Sequence, residues 1–286
     1  SPGHQAFHES HCCAATVHGF LELIFYKGLN MTRTVKQLFD LTGQTALVTG
    51  GSRGLGLQMA HALGEAGARV MLSSRKADDL QEAVAELKAA GIEADYIAAD
   101  CGKEEDIRSL AQETVKKMGR IDILINNAGA TWGAAAEVHP VSAWDKVMNL
   151  NVRGYFILAQ EVANLSMIPN GRGRILNVAS IAGLAGNPPE MQTIAYNTSK
   201  GAVVNFTKAL AGEWGQHGIT VNAICPGFFP SKMTYGLLEK MGAERMASHA
   251  PLRRLGDDED LKGLTLLYAS EAGKHITGQW LSLIHI

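Results

Sequence analysis

The sequence predicts a single-domain α/β fold, a doubly wound parallel sheet with helices on both faces. From residue 41 onward, apolar runs of about five to seven residues alternate with amphipathic stretches of ten or more, which is the pattern of βαβ units. The apolar runs are nearly continuous rather than alternating, as in strands buried on both faces. No internal repeat, low-complexity tract or linker interrupts residues 41–280.

Each element has its own signal. Gln44-Thr45-Ala46-Leu47-Val48-Thr49 reads as a first strand, and Gly50-Gly51-Ser52-Arg53-Gly54-Leu55-Gly56 leads from it into a helix running to about Gly64. Strands are expected at 69–74 and 94–99, with an amphipathic helix at 78–90 between them that Gly91 stops. A helix over 104–118 precedes a fourth strand at 121–125, which runs into Asn126-Asn127-Ala128-Gly129. Two helices follow, at 142–151 and 153–168. A strand at 174–179 then ends on Ser180, and a helix spans 195–214. The sixth strand, 218–224, ends at Cys225-Pro226-Gly227.

Composition narrows the function. A formal net charge of −2 offers no electrostatic pull toward nucleic acid or an anionic membrane. Cys12, Cys13, Cys101 and Cys225 form neither a Cys-x-x-Cys pair nor a zinc-spaced cluster. Neither a disulfide framework nor a metal site is therefore expected, which fits a reducing, cytoplasmic setting. Residues 1–30 differ from the rest: they hold four of the ten histidines and show no periodicity, and the apolar run 19–26 is too short and too acidic to span a bilayer. Residues 1–40 are expected to be an extension, disordered or non-native in part, with Met31 as the natural start.

The glycine turn between strand and helix is a place for a pyrophosphate, since glycine lets backbone come close and the helix N-terminus attracts anions. A carboxylate at the end of the second strand would bind a ribose 2′-hydroxyl, whereas a cation there would accommodate a 2′-phosphate. That strand closes with Ser73-Ser74-Arg75-Lys76, and Arg53 lies in the turn. Two cations and no acid at the strand's end favour NADP(H) over NAD(H). In a helix at 195–214, Tyr196 and Lys200 form an i, i+4 pair on one face. An ammonium this close is expected to lower the phenol's pKa toward working pH, where a general acid/base is most useful. Ser180, at a strand's C-terminal tip, lies where open α/β sheets keep their ligands.

These motifs, in this order, resemble the short-chain dehydrogenase/reductase family over residues 41–280: Thr49-Gly50-x-x-x-Gly54-x-Gly56, Asp100, Asn126-Asn127-Ala128-Gly129, Asn151, Ser180, Tyr196-x-x-x-Lys200 and Pro226-Gly227. The resemblance implies a Rossmann-type sheet and an enzyme interconverting a ketone and a secondary alcohol. It implies Tyr196 as general acid/base and Ser180 as hydrogen-bond partner of the substrate oxygen. Lys200 is implied to lower the tyrosine pKa and bind the nicotinamide ribose, and Asn151 to hold a water linking Lys200 to solvent. The cofactor would be lined by Gly50, Ser52, Arg53, Gly54, Leu55, Gly56, Ser74, Arg75, Asp100, Cys101, Asn127, Ala128, Gly129, Tyr196, Lys200, Pro226 and Gly227. For Asn127 a structural tie between strands is expected beside that role.

Within the family the chain looks like the branch of 3-oxoacyl-carrier-protein reductases and gluconate 5-dehydrogenases. Substrate choice is expected in 182–192 and in a lid at 228–255. There Phe228, Phe229, Met233, Tyr235, Leu237 and Leu238 are apolar, and Lys232, Arg253 and Arg254 could meet an anion. An NAD-linked polyol or sugar-acid dehydrogenase is the alternative, and a non-catalytic dinucleotide sensor a remoter one. The resemblance also implies a homo-oligomer, dimer or tetramer, contacting through 104–118, 153–168 or the Tyr196 helix. The branch's usual Val-Asp-Gly-Gly after Trp280-Leu281 is replaced by Ser282-Leu283-Ile284-His285-Ile286, which puts tetramer stability in doubt.

Overall fold

The structure, a computed structural model, describes residues 32–230, 234–236, 239 and 242–283. The expectations for residues 1–31, for Lys232, Met233, Leu237 and Leu238, and for 284–286 lie outside the described residues. The chain divides into two units, 1–37 and 38–286. In the first, Thr34 and Gln37 cap each other: Thr34 N–H donates to Gln37 Oε1 at 2.8 Å, and Gln37 N–H to Thr34 Oγ1 at 3.3 Å. This capping box opens a short helix, α1 (Val35–Phe39).

The second unit is built on one seven-stranded, all-parallel sheet. Its strands are β1 (Thr45–Thr49), β2 (Arg69–Ser74), β3 (Ala94–Ala98), β4 (Ile123–Asn126), β5 (Gly173–Val178), β6 (Ile219–Pro226) and β7 (Trp280–Leu283), in the order β3-β2-β1-β4-β5-β6-β7. The order reverses between β1 and β4, so a crevice opens there at the strands' C-terminal ends. Side chains alternate strictly along the buried strands. Ala46 and Val48 enter one core, with α2 (Gly54–Glu65), α3 (Ala77–Ala89) and α9 (Lys262–Ala269). Leu47 enters the other, with α4 (Glu104–Met118), α6 (Gly154–Val162) and α7 (Ile194–Trp214). Two buried faces explain why the strands read as unbroken apolar runs.

One boundary differs from expectation. Instead of separate helices at 142–151 and 153–168, the chain stays helical from α5 (Val141–Met148) through a π-turn (Asn149–Arg153), α6 and a second π-turn (Ala163–Met167). Arg153 and Gly154 keep helical dihedrals, and no proline forces a break. The first π-turn points Asn149 and Asn151 at two strand-end loops: Asn149 Nδ2 donates to Gly102 O at 2.5 Å, and Asn151 grips Ala130. Single π-turns of this kind recur at functional sites.

The segment expected as a lid contains α8 (Ala243–His249). Phe229 is buried in the first core, where a Cβ on Gly256 would meet its ring, so this aromatic packs rather than reaches outward. Arg254 is engaged by a carboxylate of its own chain: its guanidinium donates to Asp260 at 2.5 and 2.6 Å, which holds that carboxyl down at about 2. The last strand forms despite the unusual ending, with Ala223–Pro226 of β6 in register with Trp280–Leu283. Among the described residues, no helix is long and apolar enough to cross a membrane, and no group of three or more His, Cys, Asp or Glu is placed to hold a metal ion.

Candidate active site

The crevice between β1 and β4 is organised by Thr49. Its hydroxyl donates to Ile125 O at 3.2 Å and accepts from the N–H groups of Asn127 and Ala128, at 3.0 and 3.2 Å. Asn127 Nδ2 donates to Thr49 O and Gly50 O, at 2.9 and 3.1 Å, so this amide ties the two strand ends together. A Cβ on Gly56 would lie 2.2 Å from Gly50 O, and only glycine lets the helix start this close to the strand. Gly54 has φ +53°, and no atom lies within 4 Å of where its Cβ would stand, so the turn is open on that side. No side chain caps α2, which leaves its first backbone N–H groups for an anion. The hydroxyls of Ser73 and Ser74, at the end of β2, are buried without a partner among the described residues. An open glycine cradle and orphaned hydroxyls beside it fit the phosphates and ribose of a dinucleotide.

The charged residues around that cradle differ in availability. Arg75 and Lys76, which follow Ser74 in the chain, are exposed. Arg53 is shared with a carboxylate, its Nη1 3.3 Å from Asp79 Oδ2 in the first turn of α3. Ser52 and Leu55 are half-buried, Leu55 packing on the first core. Asp100 turns inward: its Oδ1 accepts from Gly102 N–H and its own N–H donates to Asp106, both at 3.0 Å. The Cys101 side chain lies in the second core, where burial pushes its thiol up to about 12, and its carbonyl packs against Gly154 at the start of α6. Pro226 ends β6, and Gly227 N–H donates to Leu283 O at 2.9 Å.

Tyr196, Lys200, Ser180 and Asn151 converge across the crevice from β1. Ser180 follows β5 and accepts from Ala182 N–H at 3.1 Å, which opens a tight turn over Ile181–Gly183. A Cβ on Gly183 would come within 2.4 Å of the Lys200 carbonyl carbon, so this turn lies directly against α7. Lys200 Nζ, fully enclosed, donates to Val178 O at 2.7 Å. It lies 5.6 Å from the centroid of the Tyr196 ring and equally far from that of Tyr155. Asn151 Oδ1 accepts from Ala130 N–H at 2.8 Å, and its Nδ2 donates to Ala130 O and Ser199 Oγ, both at 2.9 Å. Ser199 Oγ in turn donates to Tyr196 O at 2.7 Å. Both amide donors of Asn151 are thus taken by protein, and they lock the loop after β4 to the helix that carries Tyr196. Gly129 closes the group, its Cα hydrogen facing Asn151 and Lys200.

The electrostatics depart from the sequence expectation. Burial raises the Tyr196 hydroxyl above its ordinary value of 10, and a hydrogen bond with the Ser180 side chain opposes the rise. Burial also pulls Lys200 down to about 8, with the Cys225 thiol a smaller influence in the other direction. Desolvation disfavours both charged forms. The tyrosine therefore rests as a phenol rather than near phenolate, and the lysine titrates near the working pH. Sequence reasoning also missed Tyr155 and Ser199. Tyr155 stands at i+4 from Asn151, on the same helical face, and Ser199 directly precedes Lys200; both spacings were readable.

The short chain dehydrogenase family profile matches residues 44–242. The rhamnolipids biosynthesis 3-oxoacyl-[acyl-carrier-protein] reductase of Pseudomonas aeruginosa is 40% identical over 244 residues, covering 84% of this chain and 94% of that protein. Gluconate 5-dehydrogenase of Gluconobacter oxydans is 37% identical, covering 85% and 94%. The crystal structure of a gluconate 5-dehydrogenase from Burkholderia cenocepacia, in complex with NADP and tartrate, superposes with a TM-score of 0.83 at 30% identity, covering 88% and 97%. The sheet order, the glycine turn and these likenesses agree: the chain belongs to the short-chain dehydrogenase family and is an NAD(P)-dependent oxidoreductase.

Proposed function

We propose that this enzyme interconverts a ketone and a secondary alcohol with NADP(H), Tyr196 exchanging the proton and Ser180 holding the substrate oxygen. The observation that carries the reading is the convergence of Ser180, Tyr196 and Lys200 at the C-terminal ends of the strands, opposite an open glycine cradle. The cofactor, when bound, supplies or accepts the hydride at the substrate carbon. In reduction, the neutral Tyr196 phenol gives its proton to the oxygen that gains charge, and the Ser180 hydroxyl donates a second hydrogen bond there. Lys200 sits against the Tyr196 ring, where its cation stabilises the phenolate left behind. Asn151, through Ser199 and Ala130, keeps the helix and the β4 loop in register around these groups.

Arg75 and Arg53 are assigned to the 2′-phosphate, supported by their exposure, one just after β2 and the other in the glycine turn, and by the lack of a carboxylate at the end of β2. The NADP held by the Burkholderia relative supports the same choice. We assign the substrate to the 3-oxoacyl or sugar-acid type on the relatives' named activities. A cytoplasmic homo-oligomer is supported by the unpaired Cys101 and Cys225 among the described residues and by the exposed Phe156 and Leu165 on the 153–168 helical run.

The test is loss of NADPH absorbance, then of NADH, against 3-oxoacyl thioesters, 5-ketogluconate and simple diketones, with Tyr196→Phe alongside. Turnover with NADPH that vanishes in the variant is expected. Turnover that survives in the variant would remove Tyr196 as proton donor, and a preference for NADH would overturn the cofactor assignment.

A further inference from the structure

Lys200 poses an unusual problem of charge burial. An ammonium has three donors, yet among the described residues this one has a single hydrogen bond, to Val178 O. Among the described residues, no carboxylate is among the groups that shift its pKa. The titratable groups around it are Tyr196 on its own helix, Tyr155 on α6 and Cys225 on β6, and burial keeps all three neutral, the thiol pushed up to about 11. What surrounds the amine instead is aromatic surface. Tyr155, 2% exposed, presents its ring face at 5.6 Å, the same distance as that of Tyr196, and its hydroxyl donates at 3.3 Å to the same Val178 carbonyl. The face of an aromatic ring carries negative charge and attracts a cation, the more so when both are desolvated.

We propose that Tyr155 is a positioning residue: its ring holds the Lys200 ammonium against Tyr196 and keeps it charged in the range where the reaction runs. The proposal rests on the reading of Lys200 as the reaction's cation. The ring face stabilises the charged form, so removing it lowers the lysine's pKa, by about one unit for a desolvated contact. The Tyr155 hydroxyl is secondary, because Lys200 already occupies Val178 O at the shorter distance.

The experiment compares Tyr155→Phe, which keeps the ring face, with Tyr155→Leu, which keeps apolar bulk alone. Lys200 is titrated directly by NMR in protein labelled with carbon-13 at the lysine ε position, its signal assigned by loss in Lys200→Met. The pH profile of kcat and KM is measured beside it. Tyr155→Phe is expected to titrate and turn over within about twofold of the wild type. Tyr155→Leu is expected to titrate about one pH unit lower and to move the alkaline limb of kcat down equally, with roughly tenfold lower kcat above pH 8 and KM within about twofold. Should the leucine variant fail to fold, pentafluorophenylalanine at position 155 reverses the charge of the ring face at nearly the same shape, and the same downward shift is expected. A Lys200 titration unmoved by loss or reversal of the face, in enzyme that Lys200→Met inactivates, overturns the proposal and leaves the role of Lys200 standing. Full turnover in Lys200→Met overturns that role, and the proposal with it.

Discussion

Replacing Lys200 with methionine should make the protein more stable at neutral pH and inactive. Burial pulls this amine from its ordinary 10.5 to about 8, a gap of roughly 2.5 units, or about 3 kcal/mol at 1.36 kcal/mol per unit. An unfolded chain binds the lysine proton up to about pH 10.5, whereas the folded protein binds it only up to about pH 8. Between those values the unfolded form carries more protons, so wild-type stability rises with pH. The penalty is therefore full below pH 8 and gone above about 10.5. Methionine fills a similar volume without charge but gives up the bond to Val178 O, a loss of about 1 kcal/mol, tempered because Tyr155 still donates to that carbonyl. The net gain is about 2 kcal/mol at pH 7, or roughly 4–8 °C in Tm for a domain of this size. Urea unfolding of both proteins at several pH values between 6 and 10 measures it. The variant's advantage should be constant up to pH 8 and then shrink. A variant less stable than wild type at pH 7, or an advantage that does not shrink, would refute the reasoning that burial of charge dominates here.

Other consequences are open to direct measurement. Tyr196→Phe should lower kcat by about 10²–10⁴-fold, and Ser180→Ala by a comparable factor, with NADPH affinity by calorimetry changed less than about threefold in each. Arg75→Asp should weaken NADPH binding tenfold or more and spare NADH; equal losses for both would place Arg75 outside the 2′-phosphate site. Gly56→Ala puts a methyl 2.2 Å from Gly50 O, so thermal unfolding should show a loss of about 1–3 kcal/mol and calorimetry a weakened NADPH. Unchanged values for both would mean the turn yields more readily than its geometry implies.

The strands were legible because the sheet is covered on both faces, which makes each strand a short apolar run, and because glycine, asparagine or serine ends them at the crevice. What escaped the sequence depends on distance. The 141–167 helix was expected to break near residue 152, but its π-turn is set by the Asn149 and Asn151 amides reaching Gly102 and Ala130, contacts no local pattern encodes. Arg254 read as a candidate anion ligand, yet Asp260 folds back onto it. Asn127 showed the strand-tying geometry expected of it, because an amide beside a strand end has backbone carbonyls within reach. The error over Tyr196 was physical: the i, i+4 spacing placed the lysine correctly, but charge was weighed there without desolvation.

That error bears on direction. Burial acts oppositely on the two partners, raising the phenol and lowering the amine, so both lean toward their neutral forms. On the proposed reading, a phenol held above 10 is poorly suited to resting as a base and well suited to donating once a substrate oxygen gains charge. An amine titrating near 8 can both stabilise the phenolate when charged and exchange its proton at ordinary pH. On that reading, the same burial that makes Lys200 costly to the fold favours the proton-donating form of Tyr196 at neutral pH. Alcohol oxidation needs the phenolate first, and should gain rate as pH rises through the range where Tyr196 begins to ionise. Measuring both directions across pH separates them: a reduction rate that falls above about pH 8 while oxidation still climbs is expected, and parallel profiles would show that burial does not set the direction.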